Sequence, residues 1–555
     1  MRLHHLPLTA MLLLPAAALA QTEADTARTH LSLGGAAPAI SSEAELRNFL
    51  DDLEVQEFAL GEAAALEWYY QWKGERYHQA GPVYRLIAEL QTRRDYARVI
   101  ERWQERVEDS VLARRLEIHA KDFLSAKADA ALTLARADLQ TAIQDTFRHF
   151  RYTVAGQEVT QTALAELVDT SADRELRRSA FEAKLQITER TSEPIRRAMA
   201  LTDRLARQGG FANGAERELI RASLTPAQVI RDLAQFERAT RPAYLAMLDE
   251  VRRDLQVEQV EPWDLGYWFR LQEAEVADAY PQSEGVTRLR ELVRELGFAV
   301  DSLPITVTIW DVPTGGIAFP IRPAYEARLL SNPFTGSRFY QVLFHEYGHT
   351  LNLVHLRPDQ PLIFLQADET PMSEGLAETI GHFAYDRHWL ERAAGLEPEQ
   401  AVALERLGKL QQLLWLRRTI GLNAWAEIRA YQNRRADLDS LYRASHRHFL
   451  ALELPPGDHA ATRDFFGTSP LYFQSYLYAN MIAAQLREAM RAELGVEDLS
   501  REPRVAEWLI ERFYAPGASV PWPVKIRRAT GRELDASALA RYLATAPVMP
   551  VGPSQ

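Results

Sequence analysis

The stretch HEYGH at residues 345–349 determines how the rest of this sequence is interpreted. Residues four positions apart lie on one face of a helix, so His345 and His349 can both reach one metal ion while Glu346 lies beside them. A catalytic zinc ion takes three protein ligands and leaves one position for water, whose proton a nearby carboxylate can accept. The motif therefore predicts a zinc site in which both histidines are ligands and Glu346 is the general base.

The residues around the motif predict that it lies inside a helix. Phe344, Leu351 and Val354 follow helical spacing and form an apolar stripe that ends before Pro358. Such a helix is what the chemistry needs, because it keeps the two imidazoles on the same face.

A third ligand must come from further along the chain, and the first candidate is Glu374. It lies in PMSEGLAE at residues 371–378, which is typical of the start of a second helix, because Thr370 can cap it and Pro371 suits its first position. Glu374 and Glu378 then share one face. One carboxylate can bind zinc while the other accepts a hydrogen bond from a ligand histidine.

The second candidate is His355, because HEYGHTLNLVH at residues 345–355 has the spacing of metzincin peptidases. Asn352 stands where that group normally has glycine, and Met372 could imitate its methionine turn. This alternative requires the chain to turn sharply at position 352, whereas the sequence there continues a helical pattern. The two candidates imply different folds.

The spacing resembles that of the helical gluzincin peptidases, such as angiotensin-converting enzyme, thimet oligopeptidase and oligoendopeptidase F. HEYGH is followed, 25 residues after its second histidine, by the glutamate of SEGLAE, and weaker similarity covers about residues 170–490. The resemblance implies one zinc ion per chain and the following residues at its site: His345, His349 and Glu374 as ligands, Glu346 as general base, and Glu378 in contact with a ligand histidine.

The same resemblance implies a mainly α, two-lobed peptidase fold with a deep central cleft and a small β-sheet edge next to the zinc helix. It also implies an enzyme that hydrolyses short peptides, either as an oligopeptidase or as a peptidyl-dipeptidase. Two alternatives stay open, namely a metzincin-type protease that uses His355 and a helical binding protein without catalytic activity. Metal content would distinguish the last of these from an enzyme.

A short β segment precedes the motif. Residues 305–310 alternate at period two, and residues 317–319 follow a glycine-containing turn, so a small hairpin or sheet edge is expected there. In the resembled peptidases such an edge pairs with the substrate backbone, which would make Gly316, Ile317 and Ala318 substrate contacts. An ordinary turn between two core strands explains the pattern equally well.

Tyrosines follow the break at residues 467–470. The resemblance implies that one of them offers its hydroxyl to the reacting carbonyl, and Tyr476 matches that position best, with Tyr472 as a further substrate contact. A tyrosine at helical spacing can also simply be packed. The resembled peptidases place a substrate-binding histidine upstream, where the nearest histidine here is His459, so endopeptidase, dipeptidyl carboxypeptidase and carboxypeptidase action all stay open.

The two ends of the chain predict where the protein acts and how the chain is divided. Residues 1–20 resemble a secretion signal, with Arg2 before an apolar stretch and Ala18-Leu19-Ala20 before the cleavage point, which predicts a periplasmic or secreted protein. We expect a linker at 21–41, one intertwined helical peptidase domain at 42–546 with its zinc-site region at about 303–490, and a tail at 547–555.

The chain has Cys 0 and a formal charge of −12 with dispersed basic residues, which excludes disulfides and thiolate chemistry and argues against nucleic acid as a partner. No later segment is apolar enough to predict a membrane span. Short peptides are the partners that the sequence predicts, and the oligomeric state stays open.

Overall fold

The computed structural model describes residues 37–544, apart from 275–276, 313–314 and 367. Helices dominate this part of the chain, and the strands form only two small sheets, so the prediction of a mainly α fold is confirmed. The predicted signal peptide, most of the predicted linker and the predicted tail lie outside the described residues.

Four N-terminal helices pack around an apolar cluster of their own, separate from the main core. Their bounds are α1 Glu43–Trp72, α2 Ala80–Gln91, α3 Arg94–Gln104 and α4 Ser110–Asp122. The Ser42 side chain caps α1 by accepting from the Glu45 N–H at 3.3 Å. Polar contacts tie these helices to the rest of the protein, because Lys121 Nζ donates to Glu369 Oε1 at 2.6 Å and Ile363 N donates to Glu54 Oε2 at 3.2 Å.

The middle of the chain is helical and is interrupted by a hairpin that the sequence did not predict. That hairpin pairs β1 Tyr152–Val154 antiparallel with β2 Gln157–Val159. The helices are α5 Ala130–His149, α6 Gln161–Thr170, α7 Arg174–Ala183, α8 Thr188–Gln208, α9 Gly214–Ile220, α10 Pro226–Asp254, α11 Leu265–Ala274 and α12 Gly285–Glu295.

A three-stranded sheet precedes the motif helix, and its connectivity differs from the expected hairpin. Its strands are β3 Ile305–Ile309, β4 Gly316–Arg322 and β5 Glu326–Ser331, in the order β3-β5-β4. The two predicted strands do not pair with each other, because β5 lies between them, parallel to β3 and antiparallel to β4. The hairpin alternative was therefore wrong, whereas the predicted sheet edge next to the motif helix is confirmed, because β4 pairs with β5 alone within its sheet and contacts that helix.

The HEYGH motif lies in α13 Ser337–Val354, which packs against α14 Thr370–Gly381. Because α13 continues through Asn352, the sharp turn that a metzincin needs is absent. The cap prediction for α14 was wrong by one residue: Glu369 occupies the cap position, and Thr370 is already helical.

The rest of the chain returns to helix. Its helices are α15 Arg387–Ala393, α16 Pro398–Trp415, α17 Leu422–Gln432, α18 Leu438–Leu450, α19 Phe465–Thr468, α20 Gln474–Leu494, α21 Arg504–Leu509, α22 Trp522–Thr530 and α23 Ser537–Ala544. A π-helical segment, Leu416–Gly421, joins α16 to α17. Tyr472 lies just before α20 rather than on it.

The main hydrophobic core runs from Ile143 to Leu543 and holds α13, α14 and α20 together. Phe344, Leu376 and Leu477, one from each of these helices, are fully buried. Among the described residues, no helix combines the length and apolarity that a membrane span needs.

Gly348 lies where α13 closely approaches the backbone of α14, and this contact can be tested. A Cβ at this position would lie 2.8 Å from Ala377 Cα and 2.9 Å from Ala377 O, and these are backbone atoms that cannot move aside. Gly348→Ala should therefore separate the two helices, lower the free energy of unfolding by about 1–3 kcal/mol and weaken metal binding. Thermal unfolding and metal analysis would measure both effects.

Gly61→Ala is the matched control. Gly61 lies inside α1, and a Cβ there meets nothing within 4 Å, so the variant should be unchanged or slightly more stable. A Gly348→Ala protein with wild-type stability and metal content would contradict the close-packing account.

Candidate metal centre and active site

Three side chains from two helices converge on one point. His345 and His349 lie on α13, Glu374 lies on α14, and one ligand atom of each is within 4.8 Å of the others. Glu374 Oε2 lies 3.2 Å from His345 Nε2 and 3.7 Å from His349 Nε2. An ion about 2.0–2.2 Å from each ligand separates tetrahedral ligand atoms by similar distances, so the geometry fits a zinc-sized cation.

The far side of each imidazole contacts a residue that fixes its orientation. His345 Nδ1 is 3.5 Å from Glu378 Oε1, and His349 Nδ1 is 3.3 Å from Ser373 Oγ. When each Nδ1 atom carries a proton and donates it to its partner, each Nε2 atom keeps a lone pair. Both lone pairs then face the point on which Glu374 also converges. Glu374 Oε2 is buried and has no hydrogen-bond partner among the described residues, although it lies between two ring nitrogens. This set of donors therefore fits a divalent metal ion.

The electrostatics of the cluster also favour a cation. Burial opposes ionisation of Glu374, yet the two histidines hold the pKa of its carboxyl well below its usual range. Burial likewise opposes protonation of His345, but Glu378 and Glu374 outweigh it and raise the pKa of this imidazole. The site thus concentrates negative charge around the two histidines, and a bound cation compensates that charge.

Glu378 links the site to a histidine that the sequence analysis did not identify. Its Oε2 atom lies 3.6 Å from His382 Nε2, and the His382 ring stacks on Tyr542 with ring centroids 5.2 Å apart. His382 Nε2 also lies 3.2 Å from Asn480 Oδ1. The sequence did contain a signal for His382, because it lies four residues after Glu378 and side chains at this spacing share one helix face.

Glu346 lies between the metal cluster and strand β4. The Ala318 N–H hydrogen-bonds to its carboxylate, and a Cβ at Gly316 would lie 2.6 Å from Glu346 Cγ. Burial raises the pKa of Glu346 from its ordinary value, which suits a residue that must take up and release a proton. The structure therefore brings Gly316, Ile317 and Ala318 beside the predicted base, on a strand that pairs with β5 alone within its sheet.

Two tyrosine hydroxyls lie near the metal cluster. The hydroxyls of Tyr472 and Tyr476 are 3.4 Å apart, and the Tyr476 ring packs edge-on against Trp415 with centroids 5.2 Å apart. Burial, followed by the charge of Glu374, raises the pKa of Tyr472 to about 12 and raises that of Tyr476 well above its ordinary value. Both hydroxyls thus keep their protons at neutral pH and can donate hydrogen bonds.

Two histidines considered from the sequence lie elsewhere. His355 follows the last residue of α13, its Nδ1 bonds to Leu351 O at 2.8 Å, and its ring packs against Phe298 and Tyr514. It is not part of the metal cluster, which removes the structural basis of the metzincin alternative. His459 bonds to Pro455 O at 2.8 Å.

Comparison with known proteins agrees with this geometry. The model of peptidase family M3 matches residues 167–290, and the model of the carboxypeptidase Taq (M32) metallopeptidases matches residues 432–546. The chain is a zinc metallopeptidase that is similar in part to both families. The matched segments flank the HEYGH motif, which supplies the metal chemistry between them. No protein with curated annotation matches this peptidase.

Solved structures share the fold of this peptidase at low sequence identity. A Pyrococcus furiosus carboxypeptidase superposes with a TM-score of 0.65 at 12% identity, over 91% of this chain and 99% of that one. The M32 carboxypeptidase from Deinococcus radiodurans R1 superposes with a TM-score of 0.62 at 16% identity, over 90% of this chain and 97% of that one. PZ peptidase A superposes with a TM-score of 0.68 at 14% identity, over 98% of this chain and 97% of that one. The fold is therefore shared along nearly the whole chain.

The third ligand gives the second prediction. Glu374→Ala should lose bound metal and peptidase activity together, because two histidines alone hold zinc weakly. His355→Ala is the matched control and should keep both, since His355 hydrogen-bonds to Leu351 O of its own helix and packs against aromatic rings, away from the metal cluster. Metal analysis of the two purified variants decides the point. Metal loss from the His355 variant with retention in the Glu374 variant would overturn the ligand assignment.

Proposed function

We propose that this metallopeptidase is an exported oligopeptidase or peptidyl-dipeptidase that hydrolyses short peptides with one zinc ion at His345, His349 and Glu374. The observation that carries the proposal is the buried position of Glu346 between the metal cluster and the edge of β4. A peptide bond held there would face both the metal and a base. Export is supported by the signal-like sequence at residues 1–20.

A zinc ion in this site supplies Lewis acid chemistry, since it polarises a peptide carbonyl and lowers the pKa of water. Glu346 accepts the proton of the attacking water at its carboxylate and passes it to the leaving amine. The hydroxyl of Tyr476 donates a hydrogen bond to the oxygen on which charge develops. Glu346 and Tyr476 are both close enough to Glu374 for its charge to affect their pKa values, so base and donor lie beside the metal cluster.

The edge of β4 is the proposed docking surface for the peptide backbone. An extended peptide can add to a sheet edge through main-chain hydrogen bonds, which is independent of side-chain sequence. Gly316, Ile317 and Ala318 lie along that edge next to Glu346. Short peptides fit this mode better than folded proteins, because most backbone N–H and C=O groups of a folded chain are already hydrogen-bonded within its own structure.

Carboxypeptidase action is the second candidate. It is favoured by the match of residues 432–546 to the M32 model and by the two carboxypeptidases that share the fold. Mass spectrometry of the products from a mixed peptide library separates the possibilities. Internal cleavage or release of dipeptides supports the first proposal, whereas stepwise loss of single C-terminal residues would replace it. Hydrolysis of casein as fast as that of a ten-residue peptide would contradict the restriction to short substrates.

Glu346→Gln tests the proposed general base. The variant keeps nearly the same shape but cannot accept a proton, so kcat should fall by roughly 10²–10⁴-fold while metal content and thermal stability stay near wild type. Kinetics on a short fluorogenic peptide, with metal analysis of the same sample, measures this. Loss of metal from the variant would show that Glu346 has a ligand role instead.

Replacing the two tyrosines in parallel tests the oxyanion donor. Tyr476→Phe should lower kcat by roughly 10²-fold or more with little change in KM, because the lost hydrogen bond forms mainly in the transition state. Tyr472→Phe is the matched comparison, since it removes the neighbouring hydroxyl and should act mainly on KM. The opposite pattern would assign the donor role to Tyr472.

A further inference from the structure

A second set of metal-binding side chains lies among the N-terminal helices. Within the described part of the chain, ligand atoms of Glu57, His119 and Asp122 lie within 4.8 Å of one another, as those of the peptidase site do. Glu57 is on α1, and His119 and Asp122 share one face of the last turn of α4. No role in peptide hydrolysis requires these residues.

The orientation of His119 is fixed by a carboxylate on its far side. Its Nε2 atom lies 3.3 Å from Glu54 Oε1, and Glu54 also accepts from Arg115 Nε at 2.7 Å. A proton on Nε2 leaves the lone pair of Nδ1 directed towards Glu57, whose Oε2 atom is 3.4 Å away. Metal-binding histidines usually have this arrangement, with an outer carboxylate holding one nitrogen and the metal at the other.

The inward-facing atoms lack hydrogen-bond partners. His119 is fully buried and the Glu57 side chain is 9% exposed, yet Nδ1 of the histidine and both oxygens of the glutamate have no hydrogen bond within the described residues. A buried carboxylate without a partner is costly. Burial raises the pKa of Glu57 and of Asp122. Each carboxyl group is therefore held where its charge is poorly solvated.

The neighbouring arginine and lysine side chains do not remove this cost, although the charge of a protonated His119 lowers the pKa of both carboxyl groups. Arg115 is already paired with Glu54 and Asp51. Lys121 bonds to Glu369 at 2.6 Å. Arg221 and Lys121 act on Asp122 only through space. Asp122 is also the last residue of α4, where the partial negative charge of the helix end disfavours another anion and favours a cation.

We propose that Glu57, His119 and Asp122 bind a second divalent cation that joins α1 to α4. The 3.4 Å between His119 Nδ1 and Glu57 Oε2 suits two ligands each about 2.0–2.2 Å from one ion. One imidazole with two carboxylates suits a first-row ion such as Zn²⁺ or Mn²⁺, whereas calcium prefers oxygen ligands alone. The chain would then hold two ions rather than the single one that its sequence predicts.

The position of the ion suggests what it does for the protein. Beyond Glu57, α1 reaches the sheet next to the peptidase site, where Tyr69 Oη is 3.3 Å from Thr308 Oγ1 and the Trp68 ring packs against Phe319. Glu54 accepts from Ile363 N, shortly before α14. A cation at α1 and α4 therefore stabilises the helices that pack against the elements of the active site.

The test measures metal binding without relying on activity. In a background with His345→Ala and Glu374→Ala, which removes the peptidase site, dialysed protein should bind one equivalent of added Zn²⁺ or Mn²⁺ and gain several degrees in Tm. Wild-type protein should bind two equivalents of Zn²⁺. Adding Glu57→Gln to the background should abolish the remaining binding and the Tm gain. Asp52→Asn, an exposed change on the same helix, is the matched control and should keep both.

Two results would overturn the proposal. A background protein that is folded by circular dichroism but binds neither ion would show that Glu57, His119 and Asp122 do not form a metal site. Retention of the ion by Glu57→Gln would place it elsewhere. If Glu57→Gln does not fold, Asp122→Asn takes its place, and the titration of the background protein still decides whether the ion binds.

Discussion

The close approach of α13 and α14 is the constraint on which the site depends. Gly348 faces the backbone of Ala377, so a residue with a side chain there would hold the helices apart. At this spacing, His345 and His349 on one helix reach Glu374 on the other. A metal site needs ligand positions accurate to a fraction of an ångström, and backbone contact between two buried helices provides that accuracy.

The metal cluster is supported by further contacts behind it. Glu378 and Ser373, both on α14, hold the outer nitrogens of the two histidines on α13. Helix α14 therefore supplies one ligand and both orienting groups. Glu346 lies on α13 with two of the ligands, and strand β4 adds a hydrogen bond from the Ala318 N–H to its carboxylate.

Local spacing made part of the site predictable. HEYGH and SEGLAE give their geometry through helical periodicity, which is why the grouping of His345, His349 and Glu374 and the continuation of α13 through Asn352 could be inferred. The mainly α fold was implied by the family resemblance. Ser373 was missed because its contact with His349 depends on how two helices are rotated against each other. The central strand β5 was missed because Arg328 interrupts its apolar pattern, and its pairing with β3 spans residues that are distant in sequence. Glu57 and His119 have no common motif, since only the tertiary fold brings them together.

Anomalous diffraction at the zinc absorption edge tests the central claim most directly. Crystals of the full chain grown with zinc should show an anomalous peak about 2.0–2.2 Å from His345 Nε2, His349 Nε2 and a carboxylate oxygen of Glu374. A peak at His355, or no density among these three side chains in a well-ordered, zinc-saturated crystal, would contradict the account.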